Sequence, residues 1–239
     1  MRPAPQSPPP PERVLELFER VVPAYDRLNH LFSLGIDRSW RRRLARLAPL
    51  SGGAEALDAC TGTGDVAIAL ARRWPAARLI GLDSSAGMLA RAREKLRQAG
   101  LGARVRLLQG DVLDLPFAEA RFDCVTIAFG LRNLAERRRG AAEMARVLRR
   151  GGRLLVLEFL PPGPTPAGRL YRLYLGRVMP WAGGVLSGSP ETYRHLFASI
   201  ASFPPPGRVL ELLQDAGLRH LEFHALSGGI AGLFLGIKE

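Results

Sequence analysis

An acid and a glycine-rich turn stand together early in the chain. An apolar run that begins at Ala54 ends in Asp58, and the sequence Thr-Gly-Thr-Gly follows at 61–64. A second apolar run ends in Asp83. A strand, a glycine turn, a helix and a strand that ends in a carboxylate form the nucleotide half-site of an open α/β sheet, where the acid accepts hydrogen bonds from ribose hydroxyls. The pattern predicts an enzyme that uses a nucleotide-like cofactor.

The residue after the turn indicates which cofactor. Gly62, Gly64 and Ala67 also fit the G-x-G-x-x-G/A spacing typical of NAD or FAD sites. Asp65, however, begins the next helix, where a dinucleotide places its pyrophosphate. A carboxylate about 4 Å from one phosphate charge costs on the order of 4 kcal/mol at an effective dielectric of about 20. S-adenosylmethionine instead carries a sulfonium and an ammonium, which Asp58 and Asp65 would attract. The pattern favours this cofactor, unless Asp65 is only a helix cap that points into water.

A third acid, Asp111, follows the next predicted strand. Acids at the ends of three consecutive strands suit a cofactor with a ribose, an adenine amino group and a positively charged sulfur. Leu82 and Val112 would form apolar walls around the adenine. We therefore expect the cofactor to contact the following residues: Gly62, Thr63, Gly64, Asp83, Asp111 and Val112.

The surrounding elements alternate between strands and helices. Apolar runs predict strands at 54–59, 78–83, 104–109, 122–128 and 153–159, and apolar spacing predicts helices at 65–73, 85–99 and 136–149. Ser85 is the expected N-cap of the second helix, and Gly100 is its expected end. A helix near 209–213 and a strand pair at 219–225 and 230–237, with Gly228-Gly229 between them, end the chain. The predicted class is a doubly wound, Rossmann-like α/β sheet with a terminal antiparallel hairpin.

One methyltransferase domain is expected at 12–239, after a disordered proline-rich tail at 1–11. It divides into N-terminal helices at 12–50, a cofactor-binding core at 51–160, a substrate lid at 161–206 and the closing helix and hairpin at 207–239. The tract 170–186 mixes aromatic residues with arginines. Such a tract suits a lid over an apolar substrate or a helix on a membrane surface, and an ordinary amphipathic helix packed on the sheet is the alternative.

Composition limits the partners and the compartment. The formal net charge is +12, carried almost entirely by arginine, which makes an acidic partner plausible: nucleic acid, an anionic membrane or an acidic substrate. No run of 18 apolar residues and no secretion-signal pattern is present. Cys60 directly follows a predicted strand and Cys124 lies inside one. We expect a cytoplasmic protein, with transient contact to the inner membrane face. The four histidines lack ligand spacing, so no metal is assigned.

Several further motifs extend a resemblance over almost everything after the tail. They are Tyr25-Asp26 with Asn29, Gly35-Ile36 and Trp40; Leu115-Pro116-Phe117; Phe129 to Asn133; Arg146-Val147-Leu148; Gly151 to Phe159; Tyr193; and Gly228-Gly229-Ile230. With 61–65 and Asp111, they make the chain similar to the UbiE/MenG family of quinone-biosynthesis C-methyltransferases. The segments 25–40 and 129–133 are specific to that family, whereas the glycine turn and the Gly151 region are shared by many methyltransferases.

The resemblance implies methyl transfer from S-adenosylmethionine to a ring carbon of a polyprenylated quinol, most readily demethylmenaquinol. It places cofactor contacts on Thr63, Asp83, Asp111 and Val112. This chain has Thr61 where relatives often have glycine, and Asp111 where many have asparagine. In ubiquinone-type relatives a serine often precedes Phe-Gly-Leu-Arg-Asn, and here that position is Ala128. The contact that this serine makes in those relatives is therefore not expected in this chain.

A quinol carbon becomes nucleophilic when a neighbouring hydroxyl loses its proton, so the site needs a base and a group that holds the phenolate. Arg132 and Asn133, after the fourth strand, are expected in the second role, because arginine stays protonated. The alternative is that Arg132 pairs with a loop carboxylate such as Asp111. Tyr25 and Tyr193 are the expected quinol contacts. The favoured interpretation of His195 is a partly exposed helical histidine, and a proton acceptor is the alternative.

Other functions stay open at this point. The enzyme could methylate the ubiquinone-pathway benzoquinol, another small lipid or RNA. No aromatic-basic nucleic-acid motif accompanies the charge, so nucleic acid is not an expected partner. A basic nucleic-acid-binding module with a vestigial nucleotide site is the alternative outside the enzymes.

Overall fold

The computed structural model describes residues 35–163, 166–178 and 190–239, together with Glu16, Glu19, Val22, Asp26 and Ser33. The predicted tail at 1–11 lies outside the described residues, as do most of the N-terminal helices and the second half of the tract 170–186.

Strands and helices alternate through the first half of the described chain. The helices are α1 (Asp37–Leu47), α2 (Asp65–Arg73), α3 (Ala86–Gln98), α4 (Arg137–Val147), α5 (Pro166–Leu173), α6 (Pro190–Ala201) and α7 (Pro206–Asp215). The strands are β1 (Glu55–Ala59), β2 (Arg78–Asp83), β3 (Val105–Gln109), β4 (Phe122–Ala128), β5 (Leu148–Phe159), β6 (Leu218–Leu226) and β7 (Ala231–Lys238). Single 3-10 turns cover Leu131–Asn133 and Ser227–Gly229, and a π-helical segment, Tyr174–Val178, follows α5.

The seven strands form one sheet in the order β3-β2-β1-β4-β5-β7-β6. Strands β1 to β5 pair in parallel, and β7 pairs antiparallel with both of its neighbours. The strand order reverses between β1 and β4, so the crevice beyond their carboxyl ends is where a doubly wound sheet binds ligands. The predicted class and its terminal hairpin are confirmed.

Most element boundaries agree with the sequence prediction within two residues; α7 begins three positions before the helix predicted near 209–213, and β5 differs most. This strand begins at Leu148, directly after α4, five positions before the predicted start at Arg153. Leu148 pairs with Phe122, and the ladder resumes at Arg153 opposite Cys124 after a shift in register. Because Gly151-Gly152 is typical of a turn, the sequence placed the strand start after it, whereas the strand continues through this irregularity.

Alternate residues of each central strand enter one of two apolar cores, one on each face of the sheet. On β5, Leu155 and Leu157 belong to the core that includes α1 and α2, and Leu154 and Val156 to the core that includes α4 and α7. All four side chains are fully buried. The two covered faces hold the carboxyl ends of β1, β2 and β4 in fixed positions around the crevice.

Candidate active site

The glycine turn connects β1 to α2 at the crevice. Gly62 has φ of 55° and Gly64 has φ of 85°, a left-handed backbone that glycine adopts without the steric cost of a Cβ. Apart from Gly62 and its two chain neighbours, no described residue has an atom within 4 Å of the position that a Cβ on Gly62 would occupy. The turn therefore leaves open space above its backbone, as a ligand that lies directly against it requires.

Asp83 lies beside this turn, as predicted. Its Oδ2 accepts from the Gly62 N–H at 2.8 Å and its Oδ1 accepts from the Ser85 N–H at 3.0 Å. Burial raises the pKa of Asp83, and these backbone donors oppose the increase. Since each carboxylate oxygen can accept more than one hydrogen bond, Asp83 retains capacity for hydroxyl donors.

Asp58 does not line the crevice. Its carboxylate is buried, accepting from the Thr61 hydroxyl and from the Thr126 hydroxyl, each at 2.7 Å. Desolvation by burial raises the pKa of Asp58 to about 6, although the two hydrogen bonds act to lower it. The expectation that Asp58 contacts the cofactor's positive groups is wrong, because its oxygens join β1, the glycine turn and β4 from beneath.

Asp65 is ion-paired. Lys95 Nζ lies 2.7 Å from Asp65 Oδ1, 2.9 Å from Asp26 Oδ1 and 3.0 Å from the Thr63 hydroxyl. Asp65 is therefore not an uncompensated carboxylate at the cofactor. It is also not a helix cap that points into water, because its carboxylate pairs with Lys95. Asp65 therefore does not exclude a pyrophosphate, since Lys95 compensates its charge.

Two acids from the N-terminal region contact the half-site. Asp26 accepts from the Thr63 hydroxyl at 2.5 Å. Glu19 accepts from the Ser85 hydroxyl and from the Gly87 N–H, which lies at 3.2 Å. These contacts span 37 to 68 positions of the chain, and nothing in the local sequence predicted them. They attach Asp26 to the turn after β1 and Glu19 to the segment after β2.

The third predicted acid lies after β3. Asp111 is exposed and accepts from the Leu113 N–H at 2.9 Å, within its own loop. Val112, by contrast, is buried in the core with Leu82. The structure thus brings Asp111 to the same edge of the sheet as Asp83, whose carbonyl accepts from the Gly110 N–H at 3.0 Å.

The segment 129–133 continues from β4 into a 3-10 turn. Phe129 has φ of 58°, an uncommon conformation for a large side chain. Its carbonyl accepts from Arg132 Nη1 and from Asn133 Nδ2. A Cβ on Gly130 would lie 2.8 Å from the Cβ of Cys60. This close approach places the turn against the glycine-rich turn, where only glycine leaves enough room.

Arg132 pairs with a carboxylate other than Asp111. Its Nη1 lies 2.8 Å from Glu158 Oε1, and its backbone N–H donates to Glu158 Oε2 at 3.1 Å. The arginine side chain is 3% exposed and the glutamate side chain is fully buried. Glu158 comes from β5, and no sequence pattern predicted it as the partner.

Three buried polar atoms around this pair have no hydrogen-bond partner among the described residues: Arg132 Nε, Asn133 Oδ1 and His195 Nε2. Leaving a buried polar group without a partner costs about 1 to 3 kcal/mol, and native proteins contain few such groups. Their presence at one end of β4 indicates a place where a ligand supplies the missing partners.

Aromatic side chains form one side of this region. Phe129 and Phe159 lie 4.6 Å apart between ring centroids, and Trp40 lies within 6.3 Å of both. The Trp40 indole N–H donates to the Ser227 hydroxyl at 2.9 Å. The cluster joins α1, β4, β5 and the β6–β7 turn beside the Arg132–Glu158 pair.

The candidate quinol contacts Tyr25 and Tyr193 and the candidate base His195 are only partly covered by the described residues. Tyr25 lies outside the described residues. Tyr193 belongs to α6, but the description does not extend to its side chain. His195, on the same helix, is half-buried. Within the described ranges, no three His, Cys, Asp or Glu side chains lie close enough to hold a metal ion.

The sheet order, the glycine turn at the switch point and the acid at the end of β2 define a Rossmann-like class I methyltransferase. A solved SAM-dependent methyltransferase from Thermotoga maritima shares this fold, with a TM-score of 0.67 at 20% identity over 95% of this chain and 100% of that one. The family model described as the ubiE/COQ5 methyltransferase family matches residues 10–238, and the chain belongs to this family.

Curated relatives cover nearly the whole chain. A demethylmenaquinone methyltransferase from Deinococcus radiodurans is 43% identical over 228 residues, which are 95% of this chain and 93% of the relative. One from Thermus thermophilus is 43% identical over 220 residues, 92% of this chain and 99% of the relative. The protein is an enzyme, and the alternative of a non-catalytic nucleic-acid-binding module is not retained.

Proposed function

We propose that the protein transfers a methyl group from S-adenosylmethionine to a ring carbon of demethylmenaquinol, a polyprenylated quinol. The names of its relatives supply the substrate class. The observation that carries the assignment to this site is the buried Arg132–Glu158 pair, which leaves Arg132 Nε without an acceptor among the described residues.

The cofactor site fits S-adenosylmethionine. Open space above Gly62 allows its carboxylate to approach the backbone N–H groups of the turn, from Gly62 through Thr63 to Gly64. Asp83 is the proposed acceptor for the ribose hydroxyls, and Asp111 with the backbone of Val112 is the proposed contact for the adenine. When bound, the cofactor supplies an electrophilic methyl group on a positively charged sulfur.

Arg132 and Asn133 would hold the quinol. The Nε–H of Arg132 is a donor and the Oδ1 of Asn133 is an acceptor, so together they suit an oxygen that changes from hydroxyl to phenolate. Glu158 keeps the guanidinium oriented, and the aromatic cluster of Trp40, Phe129 and Phe159 gives this side of the site an apolar character. Tyr25 and Tyr193 are the further proposed quinol contacts.

Isotope transfer tests this function. The purified protein is incubated under reducing conditions with methyl-labelled S-adenosylmethionine and with demethylmenaquinol or the demethylated benzoquinol of the ubiquinone pathway. We expect label on the naphthoquinol ring, located by mass spectrometry and NMR. Label on the benzoquinol alone would favour the second candidate substrate, and label on neither would contradict quinol methylation.

The exposed side of α5 is the proposed contact with a membrane surface. Leu170 is 69% exposed and Leu173 is 47% exposed, and the exposed residues Arg169, Arg172 and Arg177 flank them. The other side of this segment packs inward through Leu175, which contacts Ile200. Each arginine near an anionic surface contributes about 1 kcal/mol, and a polyprenylated substrate resides in the membrane. The described residues contain no helix that could cross a membrane.

Vesicle cosedimentation tests the membrane contact. We expect binding to vesicles that contain anionic phosphatidylglycerol and weaker binding to neutral phosphatidylcholine vesicles. The substitutions Leu170→Asp and Leu173→Asp together should abolish retention, whereas Ile36→Asp, at an exposed apolar side chain just before α1, serves as the matched control. Equal retention of the double variant would contradict this assignment.

A further inference from the structure

We propose that His195 is the catalytic base that removes the proton from a quinol hydroxyl, through its Nε2 atom. This role rests on the proposed function and names a residue for the step that Arg132 cannot perform, because a guanidinium stays protonated.

Position is the first support. His195 lies on α6, which packs against the 3-10 turn that carries Arg132 and Asn133. Its Nε2 is buried and has no hydrogen-bond partner within the described chain. An imidazole nitrogen without a partner can accept a proton when the other ring nitrogen carries the hydrogen. The same end of β4 thus offers a donor at Arg132 Nε and acceptors at Asn133 Oδ1 and His195 Nε2.

Electrostatics supports the same role. Burial lowers the pKa of His195 below its ordinary value, and the positive charge of Arg132 lowers it further. The imidazole is therefore neutral at pH 7 and ready to accept. The elements packed against α6 also carry Tyr174 and Arg177 on the π-helical segment, and α6 itself carries Glu191. Among these charged and titratable groups, Arg132 is the one whose charge lowers the pKa of His195.

His195 would act in the first step of methyl transfer. The hydroxyl proton passes to Nε2, and the O–H electron pair stays on the oxygen and conjugates into the ring. The adjacent ring carbon forms a bond to the methyl carbon while the methyl–sulfur bond breaks and its electron pair remains on sulfur. The ring C–H proton then leaves to solvent, which restores the aromatic ring, and the imidazolium returns its proton to the oxygen. One proton is released in each turnover.

Activity against pH tests this role, with kcat of ring methylation measured from pH 5 to 8 at saturating cofactor and quinol. Because the base must be neutral, wild-type kcat should fall as pH decreases through the lowered pKa, below about 6.5. His195→Gln should reduce kcat by about 100- to 10,000-fold and should lack this decrease at low pH. His220→Gln, on an exposed histidine of β6, should behave as wild type.

Cofactor affinity and folding separate the possible outcomes. S-adenosylmethionine should bind His195→Gln as it binds the wild type in titration calorimetry, since His195 acts on the quinol. A His195→Gln variant with wild-type kcat, or a wild type with no decrease in kcat below pH 6.5, would overturn the proposal. The dependence of wild-type kcat on pH is measured without any variant, so it tests the proposal even if the substitution prevents folding. If the wild type binds cofactor but methylates no quinol, the proposed function fails and this role fails with it.

Discussion

Arg132 of the 3-10 turn after β4 and Glu158 of β5 form a salt bridge of 2.8 Å from which water is almost completely excluded. Each residue compensates the charge of the other in the interior. Glu158 also accepts two backbone hydrogen bonds, one from the Arg132 N–H at 3.1 Å and one from the N–H of the next residue, Phe159, at 2.9 Å. The pair fixes both the turn and the guanidinium at the end of the two central strands.

Glu158→Gln should destabilise the protein strongly. The amide keeps the shape of the side chain but leaves the buried Arg132 charge without a counterion, which typically costs about 3 to 5 kcal/mol. Urea unfolding followed by circular dichroism measures this free energy. Glu211→Gln, which removes an exposed pair with Arg208, should leave the unfolding midpoint unchanged. A midpoint equal to wild type in Glu158→Gln would show that the pair contributes little.

Arg132→Lys separates charge from geometry. Lysine keeps the positive charge near Glu158 but removes the Nε–H donor proposed for the phenolate. We expect kcat to fall by about 100- to 1,000-fold, the loss typical of one donor to a developing oxyanion. Arg138→Lys, at a side chain that is 80% exposed, is the control. Unchanged methylation in Arg132→Lys would remove the Nε–H from the mechanism.

The sequence predicted the fold because the signals for it are local. Apolar runs marked β1 to β4 within one residue, and the Thr-Gly-Thr-Gly turn and Asp83 identified the half-site that the structure assembles. These features depend on periodicity and on backbone conformations that favour glycine, and both are readable over a few residues.

Partners across long stretches of chain were not predictable. Lys95 reaches Asp26 and Asp65 over 69 and 30 positions, and Glu158 lies at the end of an apolar run that showed only a strand. Such pairs depend on the tertiary arrangement of α3, β5 and the N-terminal region. The same reason explains Asp58, whose place at a strand end suggested a ligand contact although the Thr126 hydroxyl, opposite it on β4, binds its carboxylate.

Asp83→Asn should weaken cofactor binding. An amide offers one acceptor oxygen where the carboxylate offers two, and a hydrogen bond to a charged group contributes about 1.5 to 3 kcal/mol, or about 10- to 150-fold in affinity. Calorimetry with S-adenosylmethionine measures the change, and Asp114→Asn, an exposed acid of the following loop, is the control. Because the pKa of Asp83 is raised by burial, wild-type affinity should also decrease as pH falls through that pKa, and the variant should lose this dependence.

Asp58 should make stability depend on pH in an unusual direction. Its pKa is about 6 in the folded protein, against 3.8 for an ordinary aspartate, so the folded state binds the proton more tightly than the unfolded state. This contribution therefore increases stability as pH falls from 7 to 4, by roughly 2 to 3 kcal/mol. Asp58→Asn removes the titrating group and still allows a hydrogen bond with Thr61 or Thr126. Other acids contribute equally to both proteins, so the difference between their unfolding free energies in urea, measured at pH 4.5 and 7.5, isolates Asp58. A difference that is the same at both pH values would show that the carboxyl titrates normally.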